Sequence, residues 1–230
     1  MPENHAPFQM ESEQNAAFWK VAATSYKADK LGGKIVSWAA GHIGSKILDI
    51  GAANGSLLRM LRSRYPRLQK AVGVDIAPKA PEILKADCTK LPFNAHDFDT
   101  VFLTDVIEHL NDRDLPLCVG EISRVLDVGG HAIINTMNNE NLESLSVTCP
   151  NCHTHFHRWG HMQVFDEKRV HALFEKFGFE IVQLRTIHLG RWARYGALVP
   201  FLRALGFHKL MRKGTWDYDL LFVAKKIKDL

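Results

Sequence analysis

The chain has 230 residues, 46% hydrophobic and 23% charged, with a formal net charge of +4. That fits one ordinary globular domain, or one domain with a lid. No apolar run approaches the roughly 20 residues of a membrane span, and four cysteines, two in one C-x-x-C, do not make a disulfide framework, so the sequence reads as a reduced cytoplasmic protein.

The chain opens on a polar stretch with neither the basic flank nor the apolar segment of a signal peptide. Helices are predicted around Asn15–Lys27 and Leu31–His42. From position 46, short apolar runs alternate with helical stretches. Strands are predicted at Lys46–Ile50, Ala71–Asp75, Ile83–Ala86, Thr100–Thr104 and His131–Thr136, and helices at Ser56–Arg64 and Leu117–Leu126. This pattern predicts a parallel sheet with helices on both faces. Gly129-Gly130 is placed as the C-terminal stop of the second of these helices. Only seven residues, Pro78 and Pro81 among them, separate Asp75 from Ile83. That is too few for a crossover helix. Either the helix shrinks to a turn or Ile83–Ala86 is not the next parallel strand.

The most informative segment is Ile47-Leu48-Asp49-Ile50-Gly51-Ala52-Ala53-Asn54-Gly55. An apolar strand ends on an acid and passes through a small-residue turn into a helix. Glycine lets the backbone approach a ligand closely, and the helix start offers unpaired N–H groups to a nucleotide-like ligand.

Beyond Thr136 the alternation breaks. Cys149 to His161 packs two cysteines and four histidines into thirteen residues. The C-x-x-C and H-x3-H spacings suit tetrahedral Zn²⁺ held by Cys149, Cys152, His157 and His161. His153 and His155 are alternative ligands, and a metal-free His-rich loop is the competing reading. Only four residues separate Cys152 from His157, which argues against a DNA-reading finger. A helix follows at Glu167–Phe177, closed by Gly178, then strands at Glu180–Thr186 and Leu220–Lys226. From Arg185 onward ten Lys/Arg face three Asp/Glu. The aromatic, basic stretch Arg191–Lys213 is either a face for a membrane surface or an anionic or lipid-like acceptor, or a helix packed on the fold.

A dinucleotide fingerprint requires glycine at 51, 53 and 56, and two of the three are missing. The spacing G-x-G-x-G needs 51, 53 and 55, and only Ala53 departs. Alanine there is tolerable at negative φ and costly at positive φ. With Asp49 ahead of it, this turn resembles the class I S-adenosylmethionine-dependent methyltransferases. Val72-Gly73-Val74-Asp75 is similar to that family's second strand, and Ala86 to Phe93 to its adenine-flanking segment. Phe98 to Leu110 resembles the fourth strand with its outgoing turn. Ile122 to Leu126 with Gly129-Gly130 resembles the approach to the fifth strand. The resemblance covers about residues 46–137 and is closest to the small-molecule branch.

It implies a doubly wound, mostly parallel seven-stranded α/β sheet with N-terminal helices and a lid. In chain order this gives an N-terminal helical lead at 1–45, a donor-binding core at 46–137, the Cys/His insertion at 138–165, and the rest of the core at 166–230. S-adenosylmethionine would be held by Asp49, Gly51, Ala52, Gly55, Asp75, Ile76, Asp87, Cys88, Thr104 and Asp105. Asp75 would accept from the ribose hydroxyls and Asp87 from the adenine amino group, with the Cys88 amide donating to the ring. A turn or cap role is the competing reading for each acid. Asp49 would order the turn near the cationic methionine portion. His109 is a candidate base, or a structurally bonded histidine. Tyr26 is a candidate to close over the donor. The insertion looks like the small metal-binding insertions of some bacterial methyltransferases, with a structural zinc favoured over a catalytic one.

The expected activity is methyl transfer to a small-molecule or lipid-like acceptor. Two alternatives stand. One is an RNA or protein methyltransferase, against which the missing amine-methylating tetrad and RNA-binding motif count. The other is a zinc-stabilised adenosyl-ligand binding protein without chemistry.

Overall fold

The structure, a computed structural model, describes residues 10–22, 29–187 and 218–229. Helices α1 (Ser12–Ala22) and α2 (Asp29–Trp38) precede β1 (Lys46–Ile50), α3 (Ser56–Arg64), β2 (Lys70–Asp75), β3 (Leu84–Lys85), β4 (Phe98–Thr104), α4 (Asp114–Val125) and β5 (Leu126–Met137). A two-stranded hairpin follows, β6 (Ser146–Thr148) and β7 (His155–His157), then α5 (Glu167–Glu175), β8 (Phe179–Ile187) and β9 (Asp219–Lys226). The main sheet has the order β3-β2-β1-β4-β5-β9-β8. β3, β2, β1, β4 and β5 are parallel, and β9 runs antiparallel between β5 and β8.

Alternation along the strands builds a core on each face, because successive side chains leave opposite sides of the pleat. Leu48, Val101, Leu103 and Ile134 pack with α4 (Val119, Ile122) and α5 (Val170, Phe174). Their neighbours Ile47, Phe102 and Ile133 pack on the other face with α2 (Ile35, Val36) and α3 (Leu57, Leu61). The sheet is therefore doubly wound, as the sequence pattern predicts.

Three local expectations are resolved by the structure. The short β2-to-β3 crossover contains no helix, and β3 pairs in parallel through Val74–Leu84 and Asp75–Lys85 alone. Gly129-Gly130 is not a helix stop: α4 ends at Val125, and Leu126 is already extended and paired with Phe98. The register slips between Phe98 and Thr100. Gly129 takes φ 90°, and a Cβ on Gly130 would meet Asp99 O and Asp127 O at 2.9 Å. These glycines thus shape an irregularity inside β5, where backbone passes close to backbone. The predicted first helix is seen as Ser12–Ala22; its continuation, Tyr26 and the basic stretch Arg191–Lys213 lie outside the described residues. Among the described residues no helix is long and apolar enough to cross a membrane.

Candidate active site

The parallel strands end together at the point where the chain order reverses, between β1 and β4. Open α/β sheets bind ligands outside the carboxyl ends of the strands at such a reversal. The turn after β1 is built for close approach. Gly51 and Gly55 take φ 78° and 75°, and a Cβ at Gly51 would lie 2.4 Å from Val106 Cγ2. Ala53 takes φ 44°, the costly case for alanine. The turn is tied to the end of β2: Asp75 Oδ2 accepts from Ala53 N (2.8 Å), Asp75 Oδ1 from Ala77 N (2.7 Å), and Ala53 O from Lys79 N (2.9 Å). Replacing Gly51 by alanine is expected to destabilise the protein by about 2–4 kcal/mol, through left-handed strain plus the Val106 clash. Denaturant unfolding of Gly51→Ala measures this.

Asp49 lies beneath the turn at 2% exposure, and its Oδ2 has no hydrogen-bond partner. Burial, and then the neighbouring Asp75 carboxylate, push it up to about 8. A buried acid with an orphaned oxygen is costly unless a proton or a cation neutralises it.

The other expected donor residues fall around the same end of the sheet. Ala52 turns its side chain into a small cluster with Leu58 and Ile83, and its amide donates to Val74 O at 3.0 Å. Ile76 and Ala77 line a cavity of about 410 Å³ with Ala16, Ala17 and Lys20 of α1. Asp87 Oδ1 accepts from Thr89 N and Oγ1 at 2.8 and 2.7 Å, which sets the turn carrying Cys88. Thr104 ends β4. Asp105 follows at φ 53°, with Oδ1 accepting from Asn135 Nδ2 at 2.6 Å. Burial first, and Asp219 second, raise Asp105 to about 7 against the lowering effect of Asn135.

Beyond Asp105 the structure gathers residues that sequence reading had kept apart. The backbone of Glu108 accepts from Met162 N (2.7 Å) and Gln163 N (3.2 Å), which pins the end of the 138–165 segment to the turn after β4. Gly160, at φ 73°, has a carbonyl within hydrogen-bond reach of His109 Nδ1, at 3.2 Å. α1 covers this place from outside: Asn15 Nδ2 donates to His109 O at 2.7 Å, and the Trp19 ring meets His109 edge-on at 4.6 Å. Burial first, and His161 second, lower His109 to about 3. A histidine so weakly basic is a poor proton acceptor near neutrality.

The four expected zinc ligands are not brought together. Cys149 and Cys152 sit at the hairpin tip, Cys152 exposed with its thiol donating to Thr154 Oγ1. No group of three close metal-binding side chains among the described residues includes either cysteine. The hairpin pairing explains the separation, because β7 carries His157 away from the tip to a buried position. His157 and His161 instead stack at 4.6 Å beside Glu140, whose Oε2 lies 2.5 Å from His161 Nδ1. Glu108 and Glu140 were missed by the sequence reading. Only the Glu108-His109 dipeptide at a strand exit hinted at the first, and nothing local marked the second.

The chain matches the family described as a methyltransferase domain over residues 22–184. No curated protein matches it in sequence. Among solved structures, it is similar to the Burkholderia thailandensis 1,6-didemethyltoxoflavin-N1-methyltransferase, solved with 1,6-didemethyltoxoflavin and S-adenosylhomocysteine (12% identity, TM-score 0.65, covering 94% of this chain and 87% of that one). It is also similar to an S-adenosylmethionine-dependent methyltransferase from Archaeoglobus fulgidus (18%, 0.61, 91% and 98%) and to the [4+2]-cyclase SpnF (14%, 0.62, 96% and 98%). At these identities the neighbours establish the shared fold, and the family match over most of the sequence establishes more. The chain belongs to the methyltransferase-domain family and is an S-adenosylmethionine-dependent methyltransferase.

Proposed function

We propose that the protein methylates a small-molecule acceptor enclosed between the ends of β4 and β5, helix α1 and the 138–165 segment. The observation that carries the reading is Asp49, buried with an unpaired oxygen beneath a glycine turn at the strand-order reversal. Asp75 binds the ribose in addition to holding the turn, since each carboxylate oxygen has a second lone pair. Ile76, Asp87 and the Cys88 amide border the adenine. Gly51 and Gly55 admit the donor backbone-close, and Thr104 and Asp105 line the methyl side. The donor supplies an activated methyl group on sulfur. The chain's own work is to align an acceptor atom with it and to exclude water; positioning of this kind lowers a barrier by roughly 7–11 kcal/mol. α1 supports the enclosed reading, because it is anchored on the turn after β4 through Asn15 and Trp19. So does the small-molecule ligand of the Burkholderia neighbour.

The test is a methyl-labelled donor offered with a panel of small hydroxylated, amine and aromatic acceptors, beside bulk RNA and protein. Label in one chemical class of the panel is the expected result. Label confined to RNA or protein, or tight donor binding with no transfer, contradicts the small-molecule reading; the last outcome favours a binding protein.

A further inference from the structure

We infer that Glu108, His109 and His161 form a binding site for a divalent first-row transition-metal ion, distinct from the Cys149/Cys152 knuckle expected from the sequence. One ligand atom from each of the three lies within 4.8 Å of the others. With metal–ligand bonds of about 2.0–2.2 Å, ligand atoms around one ion stand at most ~4.4 Å apart, so small side-chain rotations close the set.

Two of the three donors, the imidazoles, are already held in the form a metal requires. Glu108 is 1% exposed; Oε2 accepts from Thr136 Oγ1 at 2.9 Å, and Oε1 has no hydrogen-bond partner. A buried carboxyl oxygen left unpaired is costly, and a bound cation relieves that cost. The Gly160 carbonyl beside His109 Nδ1 can only accept, so that nitrogen carries the proton and Nε2 keeps its lone pair. The Glu140 carboxylate does the same for His161, fixing Nδ1–H and leaving Nε2 as the ligand. A ligand imidazole whose other nitrogen donates to a carbonyl or carboxylate is the usual support around a bound metal.

A second grouping, Glu140, His157 and His161, is equally close in space but fails on tautomer. His157 Nδ1 accepts from His161 N at 3.2 Å, so its proton sits on Nε2 and no lone pair remains there for a metal. Glu140 is therefore a positioning residue for His161, and His157 is not a ligand. Two imidazoles and one carboxylate suit Mn²⁺, Fe²⁺, Co²⁺ or Zn²⁺ better than the all-oxygen preference of Mg²⁺. Three protein donors also leave coordination positions open, as in sites that take a further ligand rather than closed structural ones.

The experiment is titration of the full-length, metal-stripped protein with Mn²⁺, followed by loss of the electron paramagnetic resonance signal of the free aquo ion. Donor affinity by calorimetry and melting temperature are recorded on the same samples. One Mn²⁺ per chain is expected. Glu108→Gln, His109→Gln and His161→Gln each weaken Mn²⁺ binding at least ~100-fold, and Glu140→Gln weakens it ~10–100-fold. His157→Gln and the double change Cys149→Ser/Cys152→Ser leave it within ~3-fold. Absence of stoichiometric binding to the wild-type protein overturns the site. So does a loss in the His157 or double-cysteine variant as large as that at His161. Donor heat on the same samples tests the methyl-transfer reading separately, so the two can fail independently.

Discussion

Asp49→Asn weakens S-adenosylmethionine binding by ~10–100-fold while raising the melting temperature of the ligand-free protein at pH 8 by at least ~3 °C. The two effects have one cause. The Asp49 carboxyl, buried with an orphaned Oδ2, is raised from an ordinary 3.8 to about 8, by burial first and by Asp75 second. In the unfolded chain it ionises near its ordinary value. Between about pH 4 and pH 8 the folded protein therefore holds a proton that the unfolded chain has lost. The stabilising contribution of the protonated group is complete at acid pH and is lost as pH rises through about 8. Asparagine has no charge to bury, so its advantage in stability grows across that window and vanishes at low pH.

The cationic methionine portion of the donor reverses the preference, because it pairs with the ionised form. Donor binding below pH 8 therefore releases a proton, and affinity climbs as pH approaches 8. Calorimetry in two buffers of different ionisation enthalpy reads the proton directly. Equal donor affinity in wild type and Asp49→Asn, with no proton released, contradicts this role for Asp49.

Asp75→Ala is expected to lower donor affinity by at least ~100-fold and to cost about 1–3 kcal/mol of stability. In the ligand-free protein its two oxygens hold the amides of Ala53 and Ala77. Alanine leaves both donors without an acceptor and frees the 51–55 turn from the segment after β2. It also removes the acid placed to accept from the ribose. Asp75→Asn keeps one acceptor oxygen and is expected to fall between wild type and alanine in both measurements. The sequence reading offered two roles for this residue, turn acid and ribose acceptor, and the structure shows it already performing the first. A stability loss without any change in donor affinity would limit Asp75 to that role.

The fold was legible where composition and periodicity carry the information. β1, β4, α3 and β9 lie within two residues of their predicted limits, because their apolar runs are bounded by turn residues and match the pleat or the helical repeat. Gly129-Gly130 misled, because the same dipeptide that ends helices also permits close backbone passage inside a strand, and only the close approach of the Asp99 carbonyl on β4 distinguishes the two. The turn after β1, Asp49 and Asp75 were legible because each stands at the end of an apolar run, and the structure brings the three together. The histidine site was not. Its grouping depends on contacts across about fifty residues, such as Met162 N to Glu108 O and Gly160 O to His109, and the local C-x-x-C spacing joined His161 to two cysteines that lie apart from it at the hairpin tip.

The whole reading rests on the turn after β1 and the acids at Asp49 and Asp75 holding an adenosyl-methionine ligand. Isothermal titration of the purified protein with S-adenosylmethionine, and separately with S-adenosylhomocysteine, tests that most directly. Saturable one-to-one heat with both ligands, weakened by Asp49→Asn and Asp75→Ala, is expected. A folded protein that gives no heat with either ligand contradicts it.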